Sequence, residues 1–321
     1  MPDVLILGGT GWLSGRIARR WADAGAQVTC LARGGRPAPD GTALVRGDRD
    51  DPATYGQLDR DWDEVVDISS RADHVRTAVS ALGHRAAHWT YVSSMSVYAD
   101  ADVDDADETA RLGEPAADGD EYDYAAQKVA AEAAVRALGG RIHIIRPGLI
   151  VGPGDPSDRF GYWAAAFARA GSEAVLVPDG TGRSVQVIDV DDLAGFAANA
   201  DLIGIRNAIG DPHPFDDVLG LFRVAAGHTG RTVVAADDWL ESHEVQPWMG
   251  ERSLPLWLPR DWSGFMTRSN AAYAAAGGTR TPLEKVIGRV LDDERARGLD
   301  RSRRAGLTRD DERALLAELP S

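Results

Sequence analysis

Short apolar runs alternate with amphipathic segments through the first half of the chain. The runs are continuous rather than alternately apolar and polar, which is typical of strands buried on both faces of a parallel sheet. The segments between them have helical spacing, since Ile17 and Trp21 lie four residues apart on one face. The pattern predicts strands at 4–7, 27–32, 43–45, 64–68, 89–93 and 141–145, and helices at 16–24, 53–58, 75–82 and 125–138.

This repetition predicts an α/β fold with a doubly wound parallel sheet that helices cover on both faces. The alternation fades after Arg146, although a strand at 185–188 and a helix at 191–200 are expected to return to the sheet. Four tryptophans between residues 239 and 262 indicate a compact cap, with their rings either packing it or lining a pocket. The charged tail after Gly298 is expected to be helical.

Composition narrows the class of protein. The 321-residue chain carries 35 Lys and Arg against 50 Asp and Glu, a net charge of −15, which disfavours general nucleic-acid binding. No apolar run reaches the roughly 18 residues that a membrane-spanning helix requires, and residues 1–11 lack signal-peptide features. The single cysteine, Cys30, lies mid-strand and is expected in the core. We expect a cytoplasmic protein that binds a small molecule and neither nucleic acid nor membrane.

A glycine-rich turn at residues 8–11 (GGTG) follows the first strand and begins the first helix. Such a turn lets backbone approach a pyrophosphate at a helix N-terminus, which is how dinucleotides are bound. The third glycine of that pattern is expected at Ser14, and Gly15 comes one place late. A bare structural turn is the alternative.

The residues after the second strand distinguish NAD from NADP. An acidic residue there would bind the ribose 2′-hydroxyl, but this chain has Arg33 and Arg36. Because a guanidinium matches a phosphate group, we predict NADP(H) as the cofactor. Asp48, after the third strand, is predicted to accept a bond from the adenine amino group. The alternatives are solvated surface arginines and a turn-capping aspartate.

Two segments at strand ends carry candidate catalytic groups. Tyr124 and Lys128 lie four apart on a predicted helix, and Ser94 follows the fifth strand. The Lys128 ammonium and a positive nicotinamide are expected to lower the tyrosine pKa, so that the phenol exchanges a proton while hydride moves. Ser94 would hydrogen-bond the same substrate oxygen. The same tyrosine–lysine spacing on a plain helix surface is the alternative.

With these motifs the sequence resembles the extended, atypical short-chain dehydrogenase/reductase family, which includes NAD(P)-dependent sugar epimerases and dehydratases. The resemblance spans residues 4–200 and continues more loosely to 287. A subgroup containing chloroplast stem-loop RNA-binding proteins is also similar. The motifs are GGTGWLSG at 8–15, GDRDD at 47–51, VSSMSVY at 92–98, YAAQK at 124–128, RPGLIVGPGD at 146–155 and VIDVDDLA at 187–194.

The resemblance implies a Rossmann-type domain at 1–150, to which 185–211 return, and a substrate-binding cap at 151–184 and 212–321. It implies Ser94, Tyr124 and Lys128 as the catalytic group, no metal, and a monomer or homodimer. The predicted cofactor contacts are Gly8, Thr10, Gly11, Trp12, Leu13, Arg33, Arg36, Asp48, Ser69, Lys128 and Pro147.

Departures from the family pattern narrow the chemistry. Dehydratases carry an Asp-Glu pair where this chain has Met95 and Ser96, so water elimination lacks its proton carriers. Sugar epimerases mostly keep an acid after the second strand, where this chain has Arg33. The leading hypothesis is therefore an NADP(H)-dependent reductase or dehydrogenase acting on a ketone or secondary alcohol. The alternatives are an epimerase with bound cofactor and a non-catalytic nucleotide sensor or RNA-binding protein.

Other patterns receive structural interpretations. His84 and His88 have metal-like spacing but fall on either side of a predicted helix end and strand start. The acidic stretch 100–108 lacks the glycine and glutamate of a calcium loop. Arg159 and Trp163 are substrate-side candidates by position alone.

Overall fold

A computed structural model describes residues 1–117 and 119–319, so residues 320 and 321 of the predicted cap lie outside the described part. The strands are β1 (Asp3–Leu7), β2 (Gln27–Ala32), β3 (Thr42–Arg46), β4 (Glu64–Asp67), β5 (Trp89–Val92), β6 (Ile142–Pro147), β7 (Leu149–Val151), β8 (Val175–Pro178), β9 (Ser184–Val185), β10 (Val187–Asp189), β11 (Gly204–Ala208), β12 (His213–Pro214), β13 (Thr232–Ala235), β14 (Gln246–Trp248), β15 (Gly250–Glu251), β16 (Ser253–Pro255) and β17 (Ala305–Gly306).

The helices connect these strands and form the outer layers. They are α1 (Trp12–Asp23), α2 (Ala72–Leu82), α3 (Tyr124–Arg136), α4 (Arg159–Ala170), α5 (Val190–Ala197), α6 (Phe215–Ala226), α7 (Asp237–Ser242), α8 (Ala271–Ala275), α9 (Leu283–Arg297) and α10 (Arg309–Glu318). Among the described residues no helix is long and apolar enough to cross a bilayer.

Seven strands form one sheet in the order β11-β6-β5-β4-β1-β2-β3, and every neighbouring pair is parallel. Ile17 of α1 and Leu193 of α5 pack on one face, and Val75 of α2 and Val135 of α3 pack on the other. Because helices bury both faces of the sheet, most of its strands contain continuous apolar runs. The predicted doubly wound α/β fold is confirmed.

Strand order reverses between β1 and β4, because β2 and β3 add on one side and β4, β5 and β6 on the other. In open parallel sheets, ligands bind in the crevice at such a reversal, outside the carboxyl ends of the strands. The segments that follow β1, β2, β3, β5 and β6 therefore meet along one edge of the sheet.

A second core lies beyond this edge. Helices α4, α6 and α9 pack together around Phe160, Trp163, Phe167, Phe215 and Phe222, all essentially without solvent exposure. Short strand pairs, such as β8 with β13 and β14 with β16, complete this layer.

Two local predictions are wrong, and that of a helix at 53–58 is refined. The expected strand at 185–188 is split, and β10 pairs with β7 instead of the large sheet, which β11 extends. The expected helix at 53–58 is a 3-10 helix, Pro52–Leu58. The tail after Gly298 is helical only from Arg309, since Arg301 and Arg303 turn back to the buried Glu294.

Candidate active site

The glycine-rich turn is shaped by close backbone packing. Gly8 has φ +86°, a conformation that favours glycine, and a Cβ added at Gly9 would lie 2.5 Å from the Cys30 Sγ atom. The Ser14 hydroxyl accepts from the Gly11 N–H (3.0 Å) and donates to the Gly8 carbonyl (2.7 Å). Ser14 therefore closes the turn at the place where a third glycine was expected, and Gly9 supplies the close approach between strand and turn.

The N-terminus of α1 opens toward the same edge. Its N-cap residue is Gly11, which has no side chain to cap the N–H groups of the first turn. Those backbone groups and the helix dipole favour an anion such as a pyrophosphate. The Trp12 indole does not offer its N–H to such an anion, because its Nε1 donates to the Pro153 carbonyl at 2.9 Å. Trp12 and Leu13 both line the catalytic cavity described below.

A cavity of about 580 Å³ lies beside the turn, lined by Gly8, Thr10, Arg33, Arg36 and Asp48 among other residues. Arg33 and Arg36 are exposed and, within the described residues, form no ion pair and no side-chain hydrogen bond. One carboxylate oxygen of Asp48 accepts a hydrogen bond from the Asp50 N–H at 3.1 Å, which is typical of a residue in a turn. The two arginines are therefore available to an anionic group in this cavity.

Arg49, next to Asp48, is committed elsewhere. Its guanidinium makes paired hydrogen bonds of 2.8 and 2.7 Å to the fully buried Asp67 and reaches the His74 carbonyl. Burial alone would raise the pKa of Asp67, but Arg49 outweighs it and holds that pKa below its usual range. This ion pair fixes the end of β4 next to the loop that follows β3.

A second cavity, of about 530 Å³, brings together Ser94, Tyr124 and Lys128 with Pro147 and Trp12. We call it the catalytic cavity, after the residues that the sequence analysis predicts to be catalytic. Ser94 follows β5, Tyr124 begins α3 and Pro147 ends β6, so parallel strand ends account for their meeting. Asp123 caps α3 by accepting from the Ala126 N–H at 2.7 Å, which fixes where the helix begins.

Lys128 is buried and bonded to backbone. Its Nζ donates to the Val92 carbonyl (2.7 Å) and the Ser69 carbonyl (2.9 Å) and lies 4.8 Å from the centre of the Tyr91 ring. Burial lowers the pKa of Lys128 from 10.5 to about 7, against the opposing effect of Asp67. Lys128 thus ties the ends of β4 and β5 together. Ser69 contributes its carbonyl to this arrangement and lines neither cavity.

The protein's own groups raise the pKa of Tyr124, and Lys128 is not among the groups that lower it. Desolvation of the phenol is the main cause, and hydrogen bonding with Ser94 and the charge of Arg159 oppose it. The Ser94 hydroxyl also accepts from the Ser96 N–H at 3.1 Å, which orients it at the cavity wall.

A buried ion pair supports this wall from behind. Arg146 and Glu132, neither of them exposed, make two hydrogen bonds of 2.9 and 2.7 Å. Tyr98 accepts from Arg146 at 2.8 Å and donates to Asn207 at 2.6 Å. The pair joins α3, which carries Tyr124 and Lys128, to β6, which leads to Pro147.

The second core supplies cavity residues that the sequence did not reveal. Trp248, Met249 and Phe265 line the catalytic cavity opposite the sheet edge. No local motif marks them, and only the tryptophan-rich composition hinted at aromatic lining. Trp163, by contrast, is a wrong substrate-side prediction, since it is fully buried and donates to the Pro255 carbonyl at 2.7 Å.

His88, which lies immediately before β5, bonds to other protein groups. His88 is buried and paired with Glu64 at 2.5 Å, while its Nε2 lies 2.8 Å from the Leu202 carbonyl. In the described part of the chain there is no group of three or more His, Cys, Asp or Glu side chains that could hold a metal ion.

Comparisons with known proteins agree with this arrangement. The sequence model of the NAD dependent epimerase/dehydratase family matches residues 4–200, which is more than half of the chain. The chain belongs to this family. The protein is therefore an enzyme of the extended short-chain dehydrogenase/reductase type that uses a nicotinamide dinucleotide. The predicted family is confirmed.

Solved structures of the epimerase/dehydratase family share the fold at low identity. A protein of Burkholderia cenocepacia J2315, proposed to be an epimerase, is 22% identical with a TM-score of 0.71, over 92% of this chain and 98% of that one. The UDP-N-acetylglucosamine 4-epimerase from Bacillus cereus is 16% identical (TM-score 0.66, 92% and 100% covered). The UDP-glucose 4-epimerase of Thermus thermophilus, in complex with NAD, is 19% identical (TM-score 0.62, 91% and 99% covered). Comparison with curated proteins gives no significant match.

Proposed function

We propose that the protein is an epimerase that oxidises a secondary alcohol carbon of a sugar-like small molecule and then reduces it again. The observation that carries this proposal is that Ser94, Tyr124 and Lys128 line one cavity in a chain of the epimerase/dehydratase family. Structural neighbours that are epimerases of UDP-sugars, some with NAD, support it.

The residues of the sheet edge fit a nicotinamide dinucleotide. Gly8 and the uncapped N-terminus of α1 suit the pyrophosphate, and the cavity beside Arg33 and Arg36 suits the adenosine half. The catalytic cavity, with Pro147 on its wall, suits the nicotinamide half. When bound, this cofactor supplies the acceptor and donor of hydride.

The chain's own residues supply the proton chemistry. Tyr124 takes a proton from the substrate hydroxyl when the carbon is oxidised and returns it when the carbon is reduced. Ser94 donates a hydrogen bond to the same oxygen as its charge develops. Lys128 holds the strand ends on which Ser94 and the cofactor rest. Met95 and Ser96, at the dehydratase acid and base positions, carry no ionisable group for water elimination.

A second candidate is an NADP(H)-dependent reductase acting on a ketone, with the same proton-transfer group. One observation favours it. Arg33 and Arg36 are free of ionic partners among the described residues and suit a 2′-phosphate.

Counting the nucleotide on the purified protein separates the two candidates. For the epimerase we expect nearly one nicotinamide dinucleotide per chain after denaturation, because the cofactor is recycled in each turnover. For the reductase we expect nucleotide-free protein that binds NADPH better than NADH and loses that preference in Arg33→Gln. A protein that neither carries nor binds either nucleotide would contradict both proposals.

Replacing the proton-transfer group tests what the candidates share. We expect Tyr124→Phe to abolish turnover while nucleotide binding is kept, because only the phenol oxygen is removed. Tyr122→Phe is the matched control, since Tyr122 lies two residues earlier and is 56% exposed. Equal activity of both variants would show that Tyr124 is not the proton-transfer residue.

A further inference from the structure

An arginine of the second core faces the catalytic cavity without a bonded partner. Arg159, the first residue of α4, lines this cavity together with Tyr124. In the part of the chain that the structure describes, its guanidinium forms no ion pair and no hydrogen bond, and its Nε is buried. Two other buried arginines, by contrast, have an ionic partner, since Arg146 pairs with Glu132 and Arg183 pairs with Asp237.

The surroundings hold Arg159 in place without neutralising it. Its Cζ lies 4.7 Å from the centre of the Trp248 ring, so a cation–π contact positions the planar group. Asp155 is the nearest carboxyl in the cavity, but it accepts from the Ser157 N–H and hydroxyl at 2.8 and 2.9 Å. Burial raises the pKa of Asp155, and its charge and that of Arg159 act on each other with no hydrogen bond or ion pair between the two side chains among the described residues.

The backbone before Arg159 is fixed from the far end of the chain. Asp158 has φ +62°, a conformation uncommon outside glycine, and its carboxylate pairs with Arg301 and accepts from the Arg304 N–H at 2.9 Å. The direction in which α4 starts, and with it the position of Arg159, is therefore set by this contact.

We propose that Arg159 binds an oxyanion of the substrate, so that the protein acts on a secondary alcohol or ketone that carries a carboxylate or phosphate group near the reacting carbon. The inference rests on the proposed function for the reacting carbon, because Tyr124 lines the same cavity. A guanidinium forms paired, charge-assisted hydrogen bonds with either group. Such a contact would orient the substrate with its hydroxyl toward Tyr124.

Binding of small anions tests this assignment without knowledge of the substrate. The cofactor-saturated protein is titrated at constant ionic strength with acetate, with inorganic phosphate and with acetamide, the neutral counterpart of acetate. The Arg159 Nε–H resonance, identified by its loss in Arg159→Lys, is followed by NMR. We expect a saturable shift with acetate or phosphate and none with acetamide, and the tighter anion identifies the group that the substrate carries.

Calorimetry on variants gives the second readout. We expect Arg159→Gln to weaken binding of that anion by about tenfold or more, as loss of a charge-assisted pair should. Arg20→Gln, which removes the same charge from the exposed side of α1, should leave binding unchanged. No saturable shift, an equal shift with acetamide, or unchanged binding in Arg159→Gln would overturn the proposal.

The two proposals fail in different ways. Saturable, Arg159-dependent anion binding in a protein that neither carries nor binds a nicotinamide nucleotide would leave the anion site standing and refute the proposed function. Nucleotide binding and Tyr124-dependent turnover with no anion response at Arg159 would leave the proposed function standing and refute the anion site.

Discussion

Replacing Lys128 with methionine should remove a pH dependence of folding stability that the buried ammonium creates. Lys128 is 3% exposed, and burial lowers its pKa from 10.5 to about 7. Between those two values the unfolded chain binds a proton that the folded chain does not. The free energy of unfolding of the wild type must therefore rise with pH across this window.

The size of the effect follows from the two pKa values. Between pH 7 and pH 9 the lysine contributes an increase of about 2 kcal/mol to the free energy of unfolding of the wild type. Methionine fills a similar volume and does not titrate. It leaves the carbonyls of Val92 and Ser69 without this donor, which costs about 1–3 kcal/mol at either pH. The slope with pH, and not the absolute stability, is therefore the quantity to compare.

Urea unfolding at pH 7 and pH 9 measures this slope. Groups that titrate in both proteins cancel when the variant is subtracted from the wild type. Lys285→Met is the matched control, because Lys285 is the chain's other lysine and is exposed. Parallel pH dependence in the wild type and Lys128→Met would refute the reasoning, and would mean that the ammonium stays charged at neutral pH.

Three further substitutions test other parts of the structure. Glu132→Gln should lower the free energy of unfolding by about 3 kcal/mol, since it leaves a buried arginine without its counter-charge; a loss below about 1 kcal/mol in urea would contradict this. Burial lowers the pKa of His143 to about 3, so the folded state excludes a proton that the unfolded chain takes up below its ordinary pKa, and stability falls as pH drops. His143→Phe should therefore gain stability relative to the wild type between pH 7 and pH 4, and a constant difference would refute it. Gly9→Ala should destabilise the protein by about 1–3 kcal/mol, because the new Cβ would lie 2.5 Å from the Cys30 Sγ. Gly56→Ala, where a Cβ meets nothing within 4 Å, is the control, and equal stabilities would count against the packing argument.

Local sequence was sufficient for six strands of the large sheet, because each of them contains a short apolar run, but not for β11, whose sequence includes Arg206 and Asn207. It failed at 185–188, where long-range contacts decide the structure. The buried Gln186 bonds to the carbonyls of Gly210 and Arg268 and accepts from the Arg268 N–H at 3.0 Å. Neighbouring residues in the sequence do not indicate those partners, so the apolar pattern alone predicted one more strand of the large sheet.

Some residues of the candidate site could be predicted from the sequence and others could not. Ser94, Tyr124 and Lys128 are recognisable because parallel strand ends must share an edge, and their catalytic roles remain predictions. Trp248 joins the cavity from a segment far along the chain, in a backbone conformation of φ +67° that its sequence does not indicate. The effect expected of Lys128 on the Tyr124 pKa is not found, because helical spacing does not show that desolvation of the phenol is the largest effect of the protein.

The contact of Arg301 and Arg304 with Asp158 has a consequence for synthesis. All strands of the large sheet lie before residue 209, whereas Arg301 and Arg304, which fix the start of α4, leave the ribosome later because they lie beyond residue 300. A nascent chain can thus complete its nucleotide-binding edge well before its substrate pocket takes shape.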